Sequence, residues 1–166
     1  MGVQRWPARQ SPERLSLPAR ETVRCLITGI GPDGRSCLSE EVELAEPSEA
    51  VDVQRLFRTY TTPAPPRPAG RAEHRGLGVK PGRLHWVVTR WAASSDSATM
   101  HHTDTIDLDL VVSGSIDLLL DDGPHRLEAG DAAVITGVDH AWRAGPEGCV
   151  LSVVLLGTEP REDTAT

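Results

Sequence analysis

Two histidines stand side by side at His101 and His102. Aspartates follow at Asp104, Asp107 and Asp109, and a further histidine stands at His140. Imidazole and carboxylate are the side chains that move protons near neutral pH and that hold divalent metals. On an extended strand residues two apart share a face. His101, Thr103, Asp107, Asp109 and Val111 therefore point one way, while Asp104, Ile106, Leu108 and Leu110 point the other. Carboxylates and an imidazole on one buried face are costly unless something pairs, protonates or coordinates them. Two chemistries answer that cost. One is a divalent metal (Fe, Mn or Zn), which imidazoles and a carboxylate hold with open positions. The other needs no metal: His101 or His140, close to Asp107 or Asp109, moves protons on an enolisable or phenolic molecule, with the carboxyl pKa values raised by burial. His102 points away on a regular strand and joins a ligand set only if a bulge turns it.

The remaining candidates have structural readings beside the functional ones. Trp91 and Trp142 either line a pocket for an aromatic ligand or pack in the core or at a subunit interface. His125 follows Asp121-Asp122-Gly123-Pro124 and reads as a surface hairpin residue. His74 falls in a loop and His85 at a strand start, and neither is assigned a role. Cys149 begins a β run and reads as buried and inert.

The elements that must position these groups are strands. From residue 84 onward short apolar runs (84–92, 101–112, 115–120, 125–128, 132–136, 140–143 and 149–156) alternate with turn signals such as Ser113-Gly114, Gly130-Asp131 and Gly145-Pro146. That rhythm predicts an all-β sandwich or barrel. Upstream, residues 1–20 read as a flexible tail. Residues 21–60 hold short strand-like segments (22–30, 37–44 and 51–60), the last alternating as a strand with a short helix after Pro47 as the alternative. Residues 61–83, with Pro63, Pro65, Pro66, Pro68 and Gly70, read as a connector.

Composition excludes several classes. The chain has 166 residues, the size of one ordinary domain. Residues 1–100 carry 14 basic and 11 acidic side chains, residues 101–166 carry 3 and 13. The half that looks best folded therefore repels nucleic acid. No apolar run reaches the roughly 18 residues of a membrane helix, and the arginine-studded start has no secretory h-region. Three cysteines at unrelated spacings argue against a disulfide framework and point to a reducing cytoplasm.

The run His101-His102-Thr103-Asp104-Thr105-Ile106-Asp107, with Gly114 seven residues on, resembles the first motif of the cupins, a His-any-His followed by Glu and Gly. Gly130-Asp131 through Gly137-Val138-Asp139-His140 resembles the second. The resemblance covers residues 85–156 and is similar in flavour to small bacterial and fungal single-domain cupins, many of them in natural-product or aromatic-compound pathways. It implies a jelly-roll barrel with the active site in its mouth. It also implies that His101, Asp107 and His140 take the places of the family's first His, Glu and last His. Thr103 replaces the second His, a poor metal ligand beside imidazole and carboxylate. Ile135, Ala144, Leu108 and Asp109 are further departures.

The chain is thus expected to be a single cupin-type jelly-roll barrel over 84–158, with an N-terminal extension of short strands and flexible ends at 1–20 and 159–166. The expected function is an enzyme of the cyclase, dehydratase, isomerase or decarboxylase kind, acting on an aromatic or polyketide-like metabolite through His101, Asp107 and His140. Thr103, Asp109, Trp91 and Trp142 would contact substrate. A metal-dependent dioxygenase with the same three ligands and a binding protein without turnover are the rivals. A cytoplasmic homodimer without nucleic-acid or membrane partners completes the expectation.

Overall fold

The computed structural model describes residues 23–43, 55–59, 71–97 and 99–160. The expected flexible tail at 1–20, the Pro-rich stretch 61–70, the strand start at 51–54 and the last six residues lie outside the described residues.

Nine strands and no helix occupy the described residues: β1 Arg24–Ile30, β2 Ser36–Glu43, β3 Glu73–His74, β4 Leu84–Trp91, β5 His101–His102, β6 Thr105–Leu120, β7 Gly123–Glu128, β8 Ala132–Ile135 and β9 Ala141–Gly157. Hence no described helix is long and apolar enough to cross a membrane. The all-β expectation holds. The main sheet runs β2-β1-β8-β6-β9-β4, with β7 on the free side of β6, while β3 and β5 form a separate parallel pair. Its hydrogen-bonded path is open, ending at β2 and β4, so it does not close on itself.

Two long strands shape the molecule. β6 pairs with β9 along nearly its whole length, and its other side takes β8 over 107–110 and then β7 over 115–120. Between those stretches the register slips at Val111/Ser113 and Gly114/Ile116. The Ser113-Gly114 and Gly145-Pro146 signals, expected as turns, are thus bends inside continuous strands. Bulges keep the ladder but sharpen its twist, which lets one sheet fold over on itself. Gly114 has φ 73°, and a Cβ there would run into the carbonyl oxygen of Gly148 across the strand pair. Only glycine permits that approach.

Inside the fold lie Ile116, Leu118, Leu127, Ile135 and Val138, with no exposed surface, joined by Leu26, Val111, Leu151 and Val153. The segment expected as an extension is built into the sheet. β1 lies between β2 and β8, antiparallel to the first and parallel to the second. Buried Thr28 and Thr136 bind each other's segments, Thr136 N donating to Thr28 Oγ1 at 3.0 Å and Thr136 Oγ1 to the Thr28 carbonyl at 3.1 Å. The β6–β7 hairpin also holds β2: Ser36 N and Leu38 N donate to the carboxylates of Asp121 and Asp122. His125 is in that hairpin, 2.7 Å from Asp122.

Two local expectations are corrected. Residues 55–59 are neither strand nor helix; Leu56 and Phe57 pack on the outer side of the sheet against Cys25, Ile27, Ile106, Ala132 and Val134. His74 is not in a plain loop but in β3, where His74 pairs with His102. Alternation over two residues is too short to announce a strand; the partner β5 decides it.

Candidate functional site

The inner-face parity read from β5 and β6 is kept through the loop between them. His101, Thr103, Thr105, Asp107, Asp109 and Val111 are all buried, while Leu108 and Leu110 are exposed. The polar members share one parity along this segment, although His102 and Ile106 of the other parity are buried as well. Thr105 was missed as a candidate, although its parity matches. Its hydroxyl is 2.8 Å from that of Thr103, and it also contributes a hydrogen bond to Asp107.

At one end of the row His101 meets His140. Their backbones form an isolated antiparallel bridge and their ring centroids lie 4.5 Å apart, tilted by 50°. Val138 O lies 2.9 Å from His140 Nδ1 and Thr99 O 3.2 Å from His101 Nδ1. A carbonyl only accepts, so each Nδ1 carries the proton and each Nε2 keeps a lone pair. Burial and the neighbouring imidazole push His140 down to about 3; burial chiefly lowers His101 as well. Both rings are neutral bases at neutral pH. Trp142 sets its edge against His140 at 6.2 Å, yet is itself a core residue. Trp91 is half-buried, its indole donating to Thr89 at 3.1 Å.

Further along the row stand Asp107 and Asp109. Each has one buried carboxyl oxygen without a hydrogen-bond partner, Oδ1 of Asp107 and Oδ2 of Asp109. Burial pushes Asp107 up to about 7 despite the Thr105 hydrogen bond. Asp109 is raised well above the ordinary carboxylate range, first by burial and then by the charge of Asp107. These are carboxyls that keep a proton where exposed ones lose it.

The structure therefore brings His101 together with His140 and Asp107 with Asp109. Among the described residues no three His, Cys, Asp or Glu side chains stand close enough together to hold a metal ion. His101, Asp107 and His140 do not fit a metal as a set: two imidazoles converge, Thr103 fills the place of a third, and the carboxyl stands apart. His102 does not supply the missing ligand. It faces Asp139, Nδ1 to Oδ1 at 3.2 Å, and its ring lies 5.4 Å from that of His74. His74 Nε2 in turn stands 2.9 Å from Asp104 Oδ2. This second imidazole–carboxylate set has no spacing signature, since His74 and His102 meet only through the β3–β5 pairing. A cleft of about 260 Å³ opens beside it, lined by His74, Lys80, Asp104, Thr105 and Thr158 among others. Of the polar row, Thr105 alone is among the cleft's lining residues. Cys149 is buried, and burial pushes its thiol up to about 11.

No family model matches the chain. The solved structures similar to it include cupins. One is a cupin 2 conserved barrel protein from Leptotrichia buccalis, 20% identical, covering 44% of this chain and 35% of that one with a TM-score of 0.41. Another is an RmlC-like cupin from Shewanella frigidimarina, 21% identical, covering 49% and 71% with a TM-score of 0.41. KdgF from Halomonas sp. is 22% identical, covering 48% and 71% at 0.38. At this level the likeness concerns part of the strand framework alone. In sequence, two curated relatives from Diaporthe leptostromiformis, named phomopsin biosynthesis cluster proteins C' and D, are each 51% identical over 45 residues, 26% of this chain. The chain spans about a quarter (24%) of the length of these relatives.

Proposed function

We propose that the chain is a cupin-type small-molecule enzyme that moves protons without a metal, using His101 and His140 as bases and Asp107 as the acid. The observation that carries this reading is the opposite displacement of pKa values along one inner face. The imidazoles are shifted toward their neutral form, with Nε2 lone pairs, while burial shifts the carboxyls toward their protonated form. Groups pushed apart in this way are the acid and base assignments of many enzymes. A base takes a proton from an acidic C–H or phenol of the guest, and Asp107 protonates the atom where the negative charge arrives. Asp109 and Thr103 orient the guest, which reaches the row through the cleft at Thr105. The cluster name carried by the two relatives supports a natural product as substrate; the aromatic or polyketide-like class rests on the resemblance in sequence alone. Cyclisation, dehydration, isomerisation and decarboxylation all need this proton traffic.

The test does not require the product to be known. Phenolic and β-keto compounds are incubated with the protein in D₂O, and C–H exchange is followed by NMR. Catalysed exchange on at least one compound is expected, falling about 10²–10⁴-fold in His140→Ala and His101→Ala, the usual weight of one acid–base group. Exchange unchanged in both variants overturns the reading. Saturable binding without exchange favours a binding protein instead.

A further inference from the structure

Arg75 brings a cation to the imidazole end of the row. It follows β3 directly, and its N–H donates to the His102 carbonyl at 2.8 Å, so the parallel β3–β5 pairing runs one step beyond His74. Glu73 pairs with His101 and His74 with His102, which sets Arg75 against Thr103. Paired residues of adjacent strands present their side chains on the same face. Arg75 therefore faces with His101 and Thr103, while His74 faces with His102, whose ring it meets at 5.4 Å. The electrostatics agree: behind burial, the charge of Arg75 is among the causes that lower both His101 and His140.

Arg75 is half-buried, and among the described residues its guanidinium makes no hydrogen bond or ion pair. Glu73 shares its face but stands two residues along the strand, ~6.6 Å away at Cα, and does not pair with it. Buried Thr103 offers a second donor. Its hydroxyl accepts from Thr105 at 2.8 Å, which leaves its own O–H to give. The position where the family resemblance implies a metal-binding His thus holds a donor beside a cation. The neighbours do not oppose an anion, since the imidazoles are shifted toward neutrality and the carboxyls toward their protonated form.

We propose that Arg75, with the Thr103 hydroxyl, binds a carboxylate of the guest and so restricts the substrate to acids. The inference rests on the proton-transfer reading for where the guest lies. A guanidinium grips a carboxylate through two parallel hydrogen bonds. One guanidinium and one hydroxyl suit a monoanion, whereas a phosphate dianion calls for more donors and charge than this end of the row supplies.

Binding is read by NMR from the imidazole resonances of the full chain. The probes are salicylate and acetoacetate, set against their uncharged amides salicylamide and acetoacetamide, with inorganic phosphate as a competitor. Each acid is expected to bind at least about tenfold more tightly than its amide, the weight of a hydrogen bond to a charged group. Arg75→Gln, checked for retained β circular dichroism, is expected to abolish the preference, and Arg75→Lys to keep part of it. The wild-type comparison decides even if Arg75→Gln fails to fold. Acids that bind no better than amides, acids that fail to bind at millimolar concentration, or phosphate that binds more tightly than both acids overturns the assignment. So does a preference that persists in folded Arg75→Gln. Exchange in D₂O is scored separately. A preference for acids without exchange upholds Arg75 and overturns proton transfer; equal exchange on acids and amides upholds proton transfer and overturns Arg75.

Discussion

His101 and His140 bond each other twice through their backbones, N to O at 2.9 and 2.8 Å, and each ring nitrogen Nδ1 faces the carbonyl two residues before it. The two imidazoles are thus held in matching fashion by segments far apart in sequence. With both Nδ1 atoms tied to carbonyls, the tautomer is settled and the reactive nitrogen of each ring is Nε2. Rings this close cannot both carry charge cheaply, which is part of why His140 falls to about 3.

The pH profile of exchange follows from the carboxyl. Asp107 must be protonated to act as acid, so the rate is expected to fall above about pH 7. Any loss on the acid side is expected below the ordinary imidazole range, because burial lowers His101 and His140 falls to about 3. Rates measured from pH 5 to 9 check this, and a rate that climbs through pH 8 contradicts the assignment. In Asp107→Asn the fall above pH 7 should vanish along with most of the activity.

Stability carries the same signature with the sign fixed by linkage. A carboxyl whose folded pKa is raised keeps its proton where the unfolded chain has lost it, so the fold loses stability as pH rises from about 4 toward the folded value. Asp109→Asn removes that penalty. Its thermal midpoint should rise relative to wild type at pH 8, by the equivalent of about 1–3 kcal/mol, and change little at pH 4. Scanning calorimetry at both values decides; equal shifts at the two pH values would refute a burial origin.

Gly114→Ala tests the fold in the sheet. The added methyl meets the Gly148 carbonyl at a positive φ, so destabilisation of about 2–4 kcal/mol is expected from denaturant titration. A loss below 0.5 kcal/mol would mean that β6 and β9 part easily there.

Chelation separates the proton-transfer site from a metal centre. Dialysis against EDTA should leave both exchange activity and thermal midpoint unchanged, because two imidazoles alone converge here. Loss restored by one equivalent of Fe, Mn or Zn would reinstate the His101, Asp107 and His140 ligand set.

Much was readable from the chain itself because strand geometry is local. Alternating residue types from His101 to Val111 determine which side chains share a face, and turn residues between apolar runs determine an all-β fold. Other features have no local cause. Ser113-Gly114 looks the same as a turn or as a bulge until β9 lies alongside. The pairing of His74 with Asp104 waits on β3 meeting β5, and that of His102 with Asp139 on His101 meeting His140. The two motifs place His101 and His140 in one site; tertiary structure alone decided that Asp107 would stand with Asp109 rather than with them. Distances between segments remote in sequence depend on how bulges bend the sheet, and burial, which displaces every pKa at the site, exists only once the sheet has folded over.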